Sequence, residues 1–146
     1  LDLAERAQVA DRVRLLGALD RAEVPALVRS ADIVVSVPSY VPYGTAVLEA
    51  MACGRAVVAS GVSGHLDTVI EGMTGVLIRP RDPKALGRAV YNLLGDPLLM
   101  EGFAVAARER VEIRHAWPRI ADEVAAVYAK VATSGFADSV GVSLGQ

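Results

Sequence analysis

Short, largely apolar runs alternate with stretches of helical period along this chain. Residues 13–16 (VRLL), 33–37 (IVVSV), 56–59 (AVVA) and 75–78 (GVLI) are the Val-, Leu- and Ile-rich runs that buried strands show. Between them, residues 3–9 read as the end of a helix. Asp20 can cap a second helix, with Glu23 three residues on as in a capping box and Val24, Leu27 and Val28 on its apolar face. Residues 45–53 predict a third helix, closed by Gly54. Residues 61–64 predict a turn, and residues 66–71 a short helix ended by Gly72. Beyond residue 82 the period is helical throughout. Pro83 suits a first helical position, and Leu86, Val90, Leu93 and Leu94 follow the 3.6-residue repeat. Further helices start near Pro97 and Pro118, the last with Ile120, Val124, Val127 and Tyr128 on one face. Residues 133–146 are Gly/Ser-rich and nearly uncharged, and are expected to be a poorly ordered tail.

Strands alternating with helices predict an α/β fold: a Rossmann-like parallel sheet with helices on both faces and a helical C-terminal part. Four short strands are few for an independent doubly wound domain. Residues 1–132 therefore read as a partial domain lacking its first strand–helix unit, and the start at Leu1, inside a helix, reads as a fragment with a partner domain upstream.

Composition narrows the function class. The chain has 146 residues, 53% hydrophobic and 22% charged, with a net charge of −2 and 5% aromatics. No basic block marks a nucleic-acid partner. No apolar run reaches the ~20 residues of a membrane span, and the N-terminus lacks the charged and apolar regions of a signal peptide. A cytoplasmic location is expected. Cys53 is the one cysteine, so there is no internal disulfide framework; it reads as a small buried residue. One cysteine and two widely spaced histidines give no metal signature.

The informative stretch is PSYVPYGTAVLEAMACG, residues 38–54. An apolar strand runs into a Pro/Gly/Tyr loop that delivers Gly44, Thr45 and Ala46 to a helix start. The leading N–H groups of that helix have no intrahelical partners, and Gly44 admits an anion close to the backbone. Glu49 sits one turn further on, where side chains lean back toward the helix start, and its carboxylate can accept hydrogen bonds from a diol. A ligand with an anionic part and hydroxyls fits. The plain alternatives are a glycine turn with nothing bound and a solvated glutamate.

A second Gly-rich turn, SGVSGHLD (residues 60–67), follows the next strand. It should open on the same sheet edge, where Ser63, Gly64 and His65 could meet a phosphate or sugar; a polar surface turn is the alternative for His65. Asp67 reads as a helix-start acid. Gly17, closing the first run, would allow close approach of a ligand at that edge, though a turn alone explains it. Arg79 and Arg81 could flank the nucleotide, with solvated loop arginines as the alternative. Glu71-Gly72 and Thr74-Gly75 read as a structural turn.

Taken in order, ADIVVSVPS, PYGTAVLEAMACGRAVVAS, SGHLDTVIEGMTGVLIRPRDPKAL and AWPRIADEVAAVY resemble the C-terminal, donor-binding half of the glycosyltransferase group 1 family, over roughly residues 10 to 130. The resemblance implies a GT-B fold of two Rossmann-like domains and retaining transfer of a hexose-type sugar from a nucleotide-diphosphate donor, without a cofactor. It implies that Gly44, Thr45 and Ala46 hold the diphosphate, that Glu49 binds the ribose hydroxyls, and that Ser63, Gly64 and His65 line the donor site. The acceptor domain, with the catalytic group and any peripheral membrane contact, would lie upstream of this chain.

One departure stands out. The family motif pairs Glu49 with a glutamate eight positions earlier, near the donor sugar hydroxyls. Here that position is Val41, whose side chain accepts no hydrogen bond. A second reading follows: a non-catalytic nucleotide-sugar-binding or partner module derived from such an enzyme. A nucleotide-sugar epimerase is a third, against which the LEAMACG and GMTGVLI segments argue.

Overall fold

The computed structural model describes residues 2–133; the segment 134–146 of the expected tail lies outside them. Helix α1 covers Asp2–Arg6, and after a 3-10 turn at Ala10–Arg12 the chain continues to α2, Val24–Ser30. Then come β1 (Ile33–Ser36), α3 (Thr45–Ala52), β2 (Ala56–Ser60), α4 (Ser63–Thr68), β3 (Val76–Ile78), α5 (Pro83–Gly95), α6 (Pro97–Arg114) and α7 (Trp117–Thr133).

The three strands form one parallel sheet in the order β1-β2-β3, with Val35 opposite Val58 and Val58 opposite Val76. β2 is central and buried along its whole length. A parallel strand needs covering on both faces, which its sequence AVVAS reflects. On one face, Val57 and Ala59 pack with Val47, Ala50 and Met51 of α3, Val69, and Ala107 of α6. On the other, Ala56 and Val58 pack with Ile78, Leu93 of α5 and Phe103 of α6. Helix α6 thus reaches both faces. Each fully buried Val, Leu or Met contributes ~1.5–3 kcal/mol, and these two clusters hold the sheet edges where they are.

The α/β architecture agrees with the sequence pattern, with two corrections. Residues 13–16 are not a strand: Val13, Leu15 and Leu16 are 39%, 72% and 48% exposed, and the chain there has no regular secondary structure. An apolar run becomes a strand only beside a neighbouring strand. The described residues offer these four none, so Gly17 closes no strand. The helix expected at 66–71 begins earlier, at Ser63. The Val62 carbonyl accepts the His65 and Leu66 N–H groups at 2.8 and 3.2 Å, and the Thr68 hydroxyl donates to the Gly64 carbonyl at 2.6 Å. The turn residues Ser63, Gly64 and His65 are therefore its first helical turn.

The Glu71–Gly75 turn is structural, as expected. Thr74, 2% exposed, receives the Ile70 N–H at 2.8 Å. Gly75 passes so near β2 that a Cβ there would lie 2.7 Å from the Val57 carbonyl oxygen.

Candidate functional site

Three features bear on a site near the loop that follows β1. The first is the start of α3. Gly44 holds φ +60°, the left-handed region that glycine enters freely. Its carbonyl accepts the Val47 and Leu48 N–H groups at 3.0 and 3.1 Å. The N–H groups of Gly44, Thr45 and Ala46 have no partner among the described residues. Gly44 is buried, whereas Thr45 and Ala46 are exposed. Three unpaired amides at a helix start make an anion site without any lysine.

The second feature is Glu49. Its neighbours Ala50 and Met51 are fully buried, and Glu49 itself is exposed. The helical period explains the contrast: Val47, Ala50 and Met51 face the sheet, and residue 49 falls on the opposite side. There Glu49 lines a cleft of about 250 Å³ between α2 and α3, with Arg21, Val24, Pro25, Val28, Ala52 and Cys53. Its carboxylate has no ion pair or hydrogen bond among the described residues. The cleft is apolar along one wall and carries a free carboxylate near its α3 end.

The third feature is the turn at Ser63. The Gly64 N–H donates to the Val41 carbonyl at 3.0 Å, and the Ser63 hydroxyl donates to the same oxygen at 2.9 Å. His65 is 1% exposed. Its Nδ1 lies 2.8 Å from the Ser60 carbonyl, to which it donates, leaving Nε2 as acceptor for the Ser36 hydroxyl at 3.3 Å. A Cβ on Gly44 would approach the His65 ring carbon Cδ2 to 3.0 Å, and one on Gly64 would come within 2.7 Å of the Tyr43 nitrogen. The ring, the two glycines and the loop are in close contact. His65 therefore does not reach out to a ligand through its side chain; it backs the loop from beneath. Ser60 adds a fourth tie, its hydroxyl donating to the Pro38 carbonyl at 2.7 Å.

Gly17 is exposed at φ +69°, and a Cβ there would meet nothing within 4 Å. No hydrogen bond among the described residues ties it to the loop. Nor are Arg79 and Arg81 paired with any acid among the described residues. A larger cavity, about 470 Å³, opens at the opposite end of the sheet, between Asp32, Gly54, Arg55, Ala56 and α6. It mixes two acids with two arginines and lies at the amino ends of the strands, whereas ligands of such sheets bind beyond the carboxyl ends.

Residues 1–110 match the family of glycosyl transferases group 1. The chain belongs to that family. Glycogen synthase of Mycobacterium tuberculosis is 38% identical over 128 residues, covering 88% of this chain and 31% of that protein. D-inositol 3-phosphate glycosyltransferase of Salinispora arenicola is 38% identical over 129 residues, covering 88% of this chain and 28% of that protein. Among solved structures, sucrose-phosphate synthase of Thermosynechococcus elongatus superposes with a TM-score of 0.85 at 33% identity, covering 92% of this chain and 34% of that one. Anabaena HepE in complex with UDP-glucose superposes with a TM-score of 0.82 at 26% identity, covering 88% of this chain and 35% of that one. The sheet and its helices are those of the GT-B fold. The chain spans about a third of the length of these glycosyltransferases. Among the described residues no helix is long and apolar enough to cross a membrane.

Proposed function

We propose that this chain is the donor-nucleotide-binding part of a retaining glycosyltransferase, which moves a hexose-type sugar from a nucleotide-diphosphate donor to an acceptor held by a separate upstream domain. Residues 1–132 form the donor portion, and the working location is cytoplasmic. The observation that carries the reading is the set of unpaired amides on Gly44, Thr45 and Ala46 at the start of the helix that also carries the free carboxylate of Glu49.

In this reading the diphosphate docks on the three amides and Glu49 accepts hydrogen bonds from the ribose diol. The base enters the cleft lined by Val24, Pro25 and Val28. That HepE was solved with UDP-glucose and with UDP supports a uridine nucleotide as first probe. The loop 38–46 contributes no carboxylate or imidazole, so this part supplies charge stabilisation rather than proton transfer. As the bond between the sugar and the diphosphate breaks, negative charge grows on the leaving phosphate oxygen, where the amides already point. The acceptor oxygen attaches on the face the diphosphate leaves. Its proton passes to the leaving phosphate.

The test is calorimetric. UDP binding to the chain should weaken about tenfold when Glu49 is changed to Ala, the loss of one or two charge-assisted hydrogen bonds. Unchanged affinity would remove Glu49 from the site.

One observation favours the alternative of a non-catalytic module: the Val41 side chain accepts no hydrogen bond, and its carbonyl is occupied by Gly64 and Ser63. In the full-length protein, a marked gain in donor hydrolysis on Val41→Glu would favour that alternative. No change would favour an active enzyme with altered sugar contacts.

A further inference from the structure

Helix α4 is too short to hold its own place. It has six residues, Ser63–Thr68, and a helix of that length is not stable by itself. Both of its ends are tied to other parts of the protein. At the first turn, the Gly64 N–H and the Ser63 hydroxyl donate to the Val41 carbonyl at 3.0 and 2.9 Å. That carbonyl belongs to the loop that presents the free amides of Gly44, Thr45 and Ala46. At the last turn, Arg110 reaches across from α6. Its Nε donates to the Thr68 carbonyl and its Nη2 to the Asp67 carbonyl, each at 2.9 Å.

The carbonyls of a last helical turn have no partners within the helix, and the dipole favours a cation there. A guanidinium presents its N–H donors as a rigid fork, and here the fork spans two successive carbonyls. Arg110 makes no ion pair with an acid among the described residues, and Glu112 on the same helix is bonded to Arg108 at 2.9 Å. The Arg110 side chain is thus committed to α4.

Helix α6 is a firm base for this reach. Ala107 is fully buried in the cluster with Val47, Met51 and Val69, and Val111 packs against the same cluster. Inside α4 the Thr68 hydroxyl donates to the Gly64 carbonyl at 2.6 Å, and both residues are buried. An unbroken chain of hydrogen-bonded residues therefore runs from Arg110 to Thr68, to Gly64, to Val41 and so to the loop. Arg110 itself does not line the Glu49 cleft.

We propose that Arg110 is a positioning residue for the Gly44–Ala46 amides: by holding the far end of α4, it fixes where the clamp holds the loop. Its effect on a nucleotide donor rests on the function proposed above; its hold on the loop does not.

The test compares Arg110→Ala and Arg110→Lys with the parent in the full 146-residue chain. Amide NMR is recorded first without ligand. The N–H signals of Gly64, Gly44, Thr45 and Ala46 should shift in Arg110→Ala and shift less in Arg110→Lys, whose ammonium keeps the charge but not the fork. Glu112→Ala, which removes the exposed ion pair of the same helix, should leave them in place. A role confined to stability would lower the melting temperature and leave the folded-state signals of Gly44 to Ala46 unmoved, and that result overturns the proposal. Arg110→Lys gives the answer if the alanine variant does not fold. UDP is then titrated. Its affinity should weaken about fivefold in Arg110→Ala, and the loss should be smaller when Ser63 is already Ala, because the two residues act in series. Equal UDP affinity in parent and Arg110→Ala, or the same loss in both backgrounds, overturns the proposal. If the parent binds no UDP, the donor reading fails, while the signals without ligand still judge Arg110.

Discussion

The two glycine turns at the carboxyl edge have similar sequences and opposite uses. At Gly44–Ala46 the backbone offers three N–H groups that nothing in the described protein takes. At Gly61–His65 nearly all are taken: Gly61 donates to Ile78, Val62 to Ser60, Gly64 to Val41 and His65 to Val62. The first turn is open for an anion, and the second is the clamp that holds the first in place. A Gly-rich turn after a strand is therefore not an anion site by its composition; the count of free amides decides.

Breaking the clamp should have the largest effect. In Gly64→Ala the new Cβ would sit 2.7 Å from the Tyr43 nitrogen and 2.8 Å from Pro42. Both contacts are backbone and cannot step aside. Overpacking of this sort costs ~3 kcal/mol, and thermal denaturation should show a fall of roughly 10 °C. A melting temperature equal to the parent's would mean that the two turns are not locked together.

Gly44→Ala should come next. The left-handed angle of +60° costs alanine ~1–2 kcal/mol, and its Cβ would press the His65 ring at 3.0 Å. Stability and UDP affinity should fall together. A loss of affinity alone would place the damage in the site and not in the packing.

His65→Ala separates support from contact. It removes two hydrogen bonds and leaves a hole, costing ~2 kcal/mol. UDP binding should weaken through loosening of the loop, and lowering the temperature should partly restore it. Full binding at all temperatures would show that the ring does not hold the loop.

The smallest effect concerns pH. His115, at the end of α6, has its pKa held below the usual 6.5 by burial first, then by Arg110 and Arg114. Its Nε2 is buried without a partner. The unfolded chain then binds a proton that the folded chain resists, so stability is full above pH 6.5 and declines as pH falls below it. Denaturant midpoints measured on either side of that pH should be lower on the acid side, a difference that His115→Gln narrows.

What could be read from the sequence follows a physical line. Strands β1, β2 and β3 and helix α3 were legible because their apolar runs, the Gly44 entry and the Gly54 exit are local signals. The run 13–16 carries the same signal and still makes no strand, because pairing is supplied by a neighbour distant in sequence. The exposure of Glu49 is within reach through the helical period, although its neighbours Leu48, Ala50, Met51 and Ala52 are all apolar. The fate of His65 was not: a ring that bonds Ser60 and Ser36 is decided by the packing of two strands against a turn. Nor does local sequence reveal that Val41 lends its carbonyl to the clamp.

The comparison of the two turns is tested most directly by amide NMR during a UDP titration of the full chain. The N–H signals of Gly44, Thr45 and Ala46 should move strongly and saturably, while those of Gly64 and His65, already bonded within the protein, move little. Shifts centred on Gly64 and His65, or none at Gly44 to Ala46, would contradict the account.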